Sequence, residues 1–171
     1  MKHDPLLLKL FTFFIASMLI TASCTTPANE KVDPVETNIK MYTHTWDEII
    51  NKRNLAMFND SNFTANVVMH TNPDIVGIDS ARAYYANYLT GFSNIQFTIV
   101  DVFGEGNKLV KHWNFKGTHT GMFFGIPATG KNVNIDGVTL VRMENGKIAE
   151  ERDFVDNYDL LGQLGQLSSP K

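Results

Sequence analysis

Residues 95–155 carry the pattern that most restricts this chain. Four consecutive stretches, 95–103, 108–118, 132–143 and 147–155, show the apolar and polar alternation of β-strands. The connections Gly104-Glu105-Gly106-Asn107 and Glu144-Asn145-Gly146 hold the residues that hairpin turns require. Strands joined this tightly pair antiparallel with their sequence neighbours. Upstream the period changes: from Glu36 onward Ile39, Tyr42, Trp46, Ile49 and Ile50 recur at helical spacing with no Gly or Pro between them, which predicts an amphipathic helix. A short helical piece follows at 54–58, and Val67-Val68-Met69-His70 reads as a brief strand closed by Thr71-Asn72-Pro73. A second helix starts after Gly77, capped by Asp79 or Ser80, and stops at Gly91. Helices followed by a curling antiparallel sheet make an α+β domain with one sheet face over the helices. A strongly curved sheet folded over so few helices encloses a cavity.

The first residues have a different character. Met1-Lys2-His3 is followed by an apolar stretch over 6–20, broken by Lys9, Thr12 and Ser17, and then by Thr21-Ala22-Ser23-Cys24. A basic start, an apolar middle and small residues at the end have the order of a secretory signal, expected here over 1–23. Cys24 after small residues resembles a bacterial lipobox, in which the cysteine is lipidated, with Thr21 where that motif usually has Leu. The alternative is a chance cysteine beside an ordinary cleavage site. Residues 24–35 are polar with two prolines and read as a tether, leaving 36–171 as the folded domain. The expectation is a protein of the bacterial cell envelope, attached to the membrane through lipid on Cys24.

Charge and motif content exclude several functions. A net charge of -3 and a pI near 5.9 lack the basic footprint of a nucleic-acid binder. The lone cysteine cannot form an intrachain disulfide, and the five histidines show no HxxxH or HxH spacing. With no Gly-rich phosphate loop and no nucleophile elbow, neither a metal nor an organic cofactor is expected.

The strand region carries a more specific series: Gly117-Thr118-His119-Thr120-Gly121, then Gly125-Ile126-Pro127-Ala128-Thr129-Gly130-Lys131, then Gly146-Lys147-Ile148 with Glu150, then Asp156 and Gln163-Leu164-Gly165. In that order these pieces closely resemble the SnoaL-like polyketide cyclases, or ester cyclases, of the nuclear transport factor 2-like superfamily. The resemblance implies a cone, in which a bent antiparallel sheet lies over N-terminal helices with a pocket in its mouth. It also implies an aspartate on the last strand, acting as acid/base in an intramolecular aldol closure of a polyketide ring without metal or cofactor. Counting from the GKI and QLG pieces, that aspartate falls on Asp153. A glutamine and a histidine on the preceding strand of such cyclases fall on Gly137 and Thr139.

An aldol closure needs a base for a proton beside a carbonyl and an acid for the alkoxide that forms, and one carboxyl group can serve both steps. Asp153 is the candidate; its bland alternative is a strand-end aspartate bonded to backbone. Phe154 points to the opposite face by strand alternation, so the pocket wall is expected from Thr139, Val141, Met143 and Trp46. His70 is a candidate substrate contact at the mouth. His119 stands where a strand becomes a Gly-flanked turn, which favours a hydrogen bond within the turn over a role as base. His112 falls on the more polar face, at the surface or at a contact with a second copy in a homodimer. Asp156 is the expected cap of a terminal helix over 158–167, and Met122-Phe123-Phe124 is expected as core or lid. Three functions stand: an enzyme acting on an apolar carbonyl-containing small molecule, an envelope lipoprotein that only binds a small apolar ligand or forms homodimers, or an interaction module using the sheet's outer face.

Overall fold

The computed structural model describes residues 33–167. The expected leader, Cys24 and most of the expected tether lie outside the described residues. The first helix, α1 (Pro34–Ile50), begins inside the stretch read as tether. Asp33 caps it by accepting the Val35 N–H at 2.9 Å, and Pro34 occupies the first turn, where no intrahelical donor is needed. Its helical period buries Tyr42, Trp46, Ile49 and Ile50 along one face. Asn51 ends the helix and clamps it to the sheet, its side chain exchanging two 2.8 Å hydrogen bonds with the backbone of Phe97.

After a 3-10 turn (Leu55–Met57) come β1 (Phe63–Met69), β2 (Ile75–Val76) and α2 (Ile78–Gly91). The cap of α2 is Gly77 at φ 93, not Asp79 or Ser80. Asp79 lies in the first turn, paired to Arg82 at 2.7 Å. The sheet continues with β3 (Phe92–Glu105), β4 (Lys108–His119), β5 (Asn132–Glu144) and β6 (Lys147–Val155), and α3 (Asn157–Leu164) follows.

The six strands lie in the order β2-β1-β6-β5-β4-β3. The expected antiparallel sheet needs one correction: β1 pairs with β6 in parallel. The chain reaches that pairing by crossing the molecule, which no local hairpin signal encodes. Register shifts interrupt β3 between Ser93 and Gln96 and between Ile99 and Asp101. Such irregularities bend and twist a sheet, and here they curl it around α1 and α2. The concave face buries Leu109, Trp113 and Phe115 from β4, and Val133, Ile135 and Val141 from β5. Each large apolar side chain taken fully from water stabilises the fold by about 1.5–3 kcal/mol. The part of that face left unfilled by the helices becomes the site.

Candidate active site

Alternation along β6 sends Glu151 and Asp153 to the concave side and Arg152 and Phe154 outward; Phe154 is 54% exposed. Asp153 lies directly across from Thr139 of β5. The Tyr85 hydroxyl donates to Asp153 Oδ2 at 3.0 Å, and the Thr139 hydroxyl donates to Oδ1. Behind them the Trp113 indole N–H donates to Thr139 Oγ1 at 2.9 Å. An indole N–H can only donate, so the threonine hydrogen is turned towards Asp153. Both carboxylate oxygens are thus held as acceptors and the side chain has one orientation.

Gly137 makes this chain of bonds possible. It lies opposite Trp113, and a Cβ at 137 would sit 2.2 Å from Trp113 Cζ2. Its missing side chain lets the indole lie flat across β5 and reach Thr139.

Asp153 stands where two hollows meet. The inner one, about 40 Å³, is walled by Trp46, Tyr88, Phe97, Lys111, Trp113 and Phe115. The outer one, about 250 Å³, opens past Tyr84, His70, Asn72 and Asn157. Tyr85, Tyr88, Asp153 and Val155 border both. A single water needs roughly 10–15 Å³, so the inner hollow takes a few heavy atoms and the outer one the body of a small molecule. The aromatic rings interlock; Trp46 meets Tyr85 edge-on with centroids 4.6 Å apart. Burial raises the phenol pKa of Tyr85 and Tyr88 well above the ordinary value, and the Asp153 carboxylate adds to this for both. Both are therefore neutral hydrogen-bond donors across the physiological range.

Two further charged residues are buried, Lys111 bordering the inner hollow and Glu151 the outer one. Glu151 Oε1 accepts from the Tyr42 hydroxyl and from the Trp46 indole at 3.1 Å, while Oε2 has no partner among the described residues. Burial pushes its pKa up to about 7; Lys111 opposes the shift, Asp153 adds to it, and the bonds from Tyr42 and Trp46 oppose it. Lys111, 3% exposed, sits with its ammonium 4.4 Å from the Trp46 ring centroid.

Residues 40–164 match the SnoaL-like polyketide cyclase family. The chain belongs to that family. A 50-residue stretch is 38% identical to the aklanonic acid methyl ester cyclase DnrD of Streptomyces peucetius, covering 29% of this chain and 34% of that one. The same identity over the same length relates it to DauD of Streptomyces sp. (strain C5), again an aklanonic acid methyl ester cyclase, covering 31% of that protein. The match thus spans about a third of these curated relatives. Among solved structures, a SnoaL-like protein from Jannaschia sp. CCS1 superposes with TM-score 0.72 at 23% identity, over 80% of this chain and 97% of that one. TsrD from Streptomyces laurentii gives 0.70 at 23% identity, over 76% and 96%. An ntf2-like protein from Burkholderia pseudomallei gives 0.61 at 14%, over 75% and 97%. These structures share the fold.

Within this SnoaL-like frame the expected site residues separate. Asp153 and Trp46 both border the hollows. Thr139 does not line them: it is fully buried behind Asp153 and touches a ligand only through that carboxylate. Val141 and Met143 are likewise sealed in the core, and the aromatic wall comes from α2, β3 and β4 instead. His70 borders the outer hollow, but Asp74 at 3.2 Å and Glu150 at 3.1 Å occupy its two ring nitrogens. It shapes the rim with neither nitrogen free for a ligand.

His119 is buried away from the hollows, its Nδ1 3.0 Å from Thr129 Oγ1, and ties down the loop between β4 and β5. His112 lies on the outer face, 3.8 Å from Asp136. Asp156 caps α3 by accepting the Asp159 N–H at 2.9 Å. The aromatic run divides: Phe123 is buried, while Met122 and Phe124 are half exposed, with Phe124 against Tyr84. Sequence reasoning missed Lys111, Glu151, Tyr85 and Tyr88. For the first two the signal was present, because strand alternation places Lys111 with Leu109 and Trp113, and Glu151 with Asp153.

Proposed function

We propose that this SnoaL-like protein is a cofactor-free acid/base catalyst that cyclises or isomerises a polyketide-like carbonyl compound, with Asp153 moving the proton. The observation that carries this reading is the Asp153 carboxylate, held by Tyr85 and Thr139 where the two hollows meet. A carboxylate so placed takes a proton from the carbon beside a carbonyl. The enolate carbon then attacks a second carbonyl of the same molecule, a C–C bond forms, and the protonated carboxyl returns its proton to the new alkoxide. Groups positioned this way typically contribute about 10²–10⁴-fold in rate. The curated relatives named for ester cyclisation support the same class of substrate. The test is ring closure of aromatic β-keto esters, followed chromatographically. Wild-type protein is expected to form product, and Asp153→Asn to lose at least about 10²-fold while folding normally.

The order of residues 1–24, basic, apolar, then small before Cys24, supports a second reading, a non-catalytic envelope lipoprotein that holds an apolar carbonyl-containing ligand. In that case native mass spectrometry finds a copurified ligand in wild type and in Asp153→Asn alike, and neither turns over.

A further inference from the structure

Burying an ammonium group costs several kcal/mol unless something holds its charge. Lys111 is 3% exposed and borders the inner hollow. Its Nζ lies 4.4 Å from the Trp46 ring centroid, 5.2 Å from that of Tyr42 and 5.5 Å from that of Phe97. Such contacts supply roughly 0.5–2 kcal/mol each, so the three offset much of that cost without giving the ammonium a hydrogen-bond acceptor. Among the described residues no carboxylate comes within ion-pair distance of Nζ, and none of its three N–H groups has an acceptor. Glu151 and Asp153 act on it only through space, and burial lowers its pKa against their pull. A methionine would fill the same volume without that penalty. What the amine adds is a donor and a positive charge at the floor of a hollow whose mouth carries a carboxylate.

We propose that Lys111 is the oxyanion anchor of this pocket: it donates to the carbonyl oxygen of an enolisable ketone or ester and holds the charge that gathers there when the α-proton leaves. This rests on the reading of Asp153 as the base. The proton passes to Asp153, the C–H electron pair becomes the C=C bond of the enolate, and the carbonyl π pair moves onto the oxygen bonded to Lys111. When the enolate carbon forms its new bond, that pair returns to the C=O. Charge that develops only along the reaction, met by a donor fixed among buried aromatic rings, is where a buried cation has its largest effect. The pocket therefore selects planar 1,3-dicarbonyl compounds over apolar molecules that lack an oxygen at this position.

The test uses 4-nitrophenol, a planar probe whose anion carries its charge on one oxygen and absorbs in the visible. Its bound form is titrated in wild-type protein and in Asp153→Asn, which removes one of the groups facing Lys111 and leaves Glu151 and Tyr42. Both proteins are expected to bind nitrophenolate at least tenfold more tightly than nitrophenol, lowering the bound probe's pKa by about one unit or more. Lys111→Met, shown to be folded by circular dichroism, is expected to lose that preference; Lys111→Arg retains part of it. Failure of wild type to bind the probe, equal binding of its two forms, or an unchanged preference in Lys111→Met overturns the proposal. The base is judged separately: if Asp153→Asn still exchanges α-protons while the anion preference is intact, the Asp153 reading fails and the Lys111 anchor stands.

Discussion

Replacing Glu151 with glutamine isolates one buried proton. In the folded protein the Glu151 pKa is about 7, against an ordinary value of 4.5. A carboxyl whose folded pKa is raised holds its proton more tightly in the native state. Its contribution to stability is complete below the unfolded value and is lost as pH rises through the folded one. At about 1.4 kcal/mol per pH unit, the loss approaches about 3 kcal/mol by pH 8. Glutamine keeps an acceptor for Tyr42 and Trp46 and cannot ionise. Urea denaturation of both proteins at several values between pH 4 and pH 8 reads the difference directly. The two stabilities are expected to lie within about 1 kcal/mol of each other below pH 5 and to diverge by about 3 kcal/mol at pH 8, with Glu151→Gln the more stable. Parallel curves, or a variant less stable at pH 8, would refute the raised pKa and the burial that causes it.

Three further substitutions probe the surroundings of Asp153 and the proposed lipid attachment at Cys24. Thr139→Val leaves the buried Trp113 N–H without its acceptor and frees one oxygen of Asp153; a stability loss of about 1–3 kcal/mol is expected in chemical denaturation, with a fall in turnover. Gly137→Ala puts a methyl group where Trp113 lies, 2.2 Å from its Cζ2; the near-ultraviolet dichroism of tryptophan is expected to change and activity to drop with it. Cys24→Ser is expected to abolish incorporation of a palmitate analogue and to release the protein from the membrane fraction, and continued labelling would place the lipid elsewhere or exclude it.

The strands of the last third were legible because alternation and turn residues are local signals, and β6 has the bounds that the alternation marked, 147–155. The β1–β6 pairing was not, since it depends on a contact between distant segments. Asp153 was reached through the family's motif spacing, and Trp46 through the helical period. Thr139 illustrates the limit of carrying a position over. It occupies the strand position where the relatives' histidine is implied, but its short side chain keeps it behind the carboxylate, and Trp113 enters the room that Gly137 leaves. Lys111 and Glu151 escaped notice because charged residue types suggest solvent, whereas their register commits them to the interior. Tyr85 and Tyr88 read equally well as helix body, and only the fold shows that their faces meet the hollow.

If Asp153 moves a proton at a carbon beside a carbonyl, hydrogen exchange at that carbon follows, whatever the natural substrate. Proton NMR in deuterium oxide follows the loss of the α-hydrogen signal from a panel of aromatic β-keto esters, with wild type and Asp153→Asn compared against buffer. Wild type is expected to accelerate exchange for at least one ester, and Asp153→Asn to fall to the buffer rate. Equal exchange by both proteins, or no acceleration by wild type across the panel, would contradict Asp153 as the acid/base group.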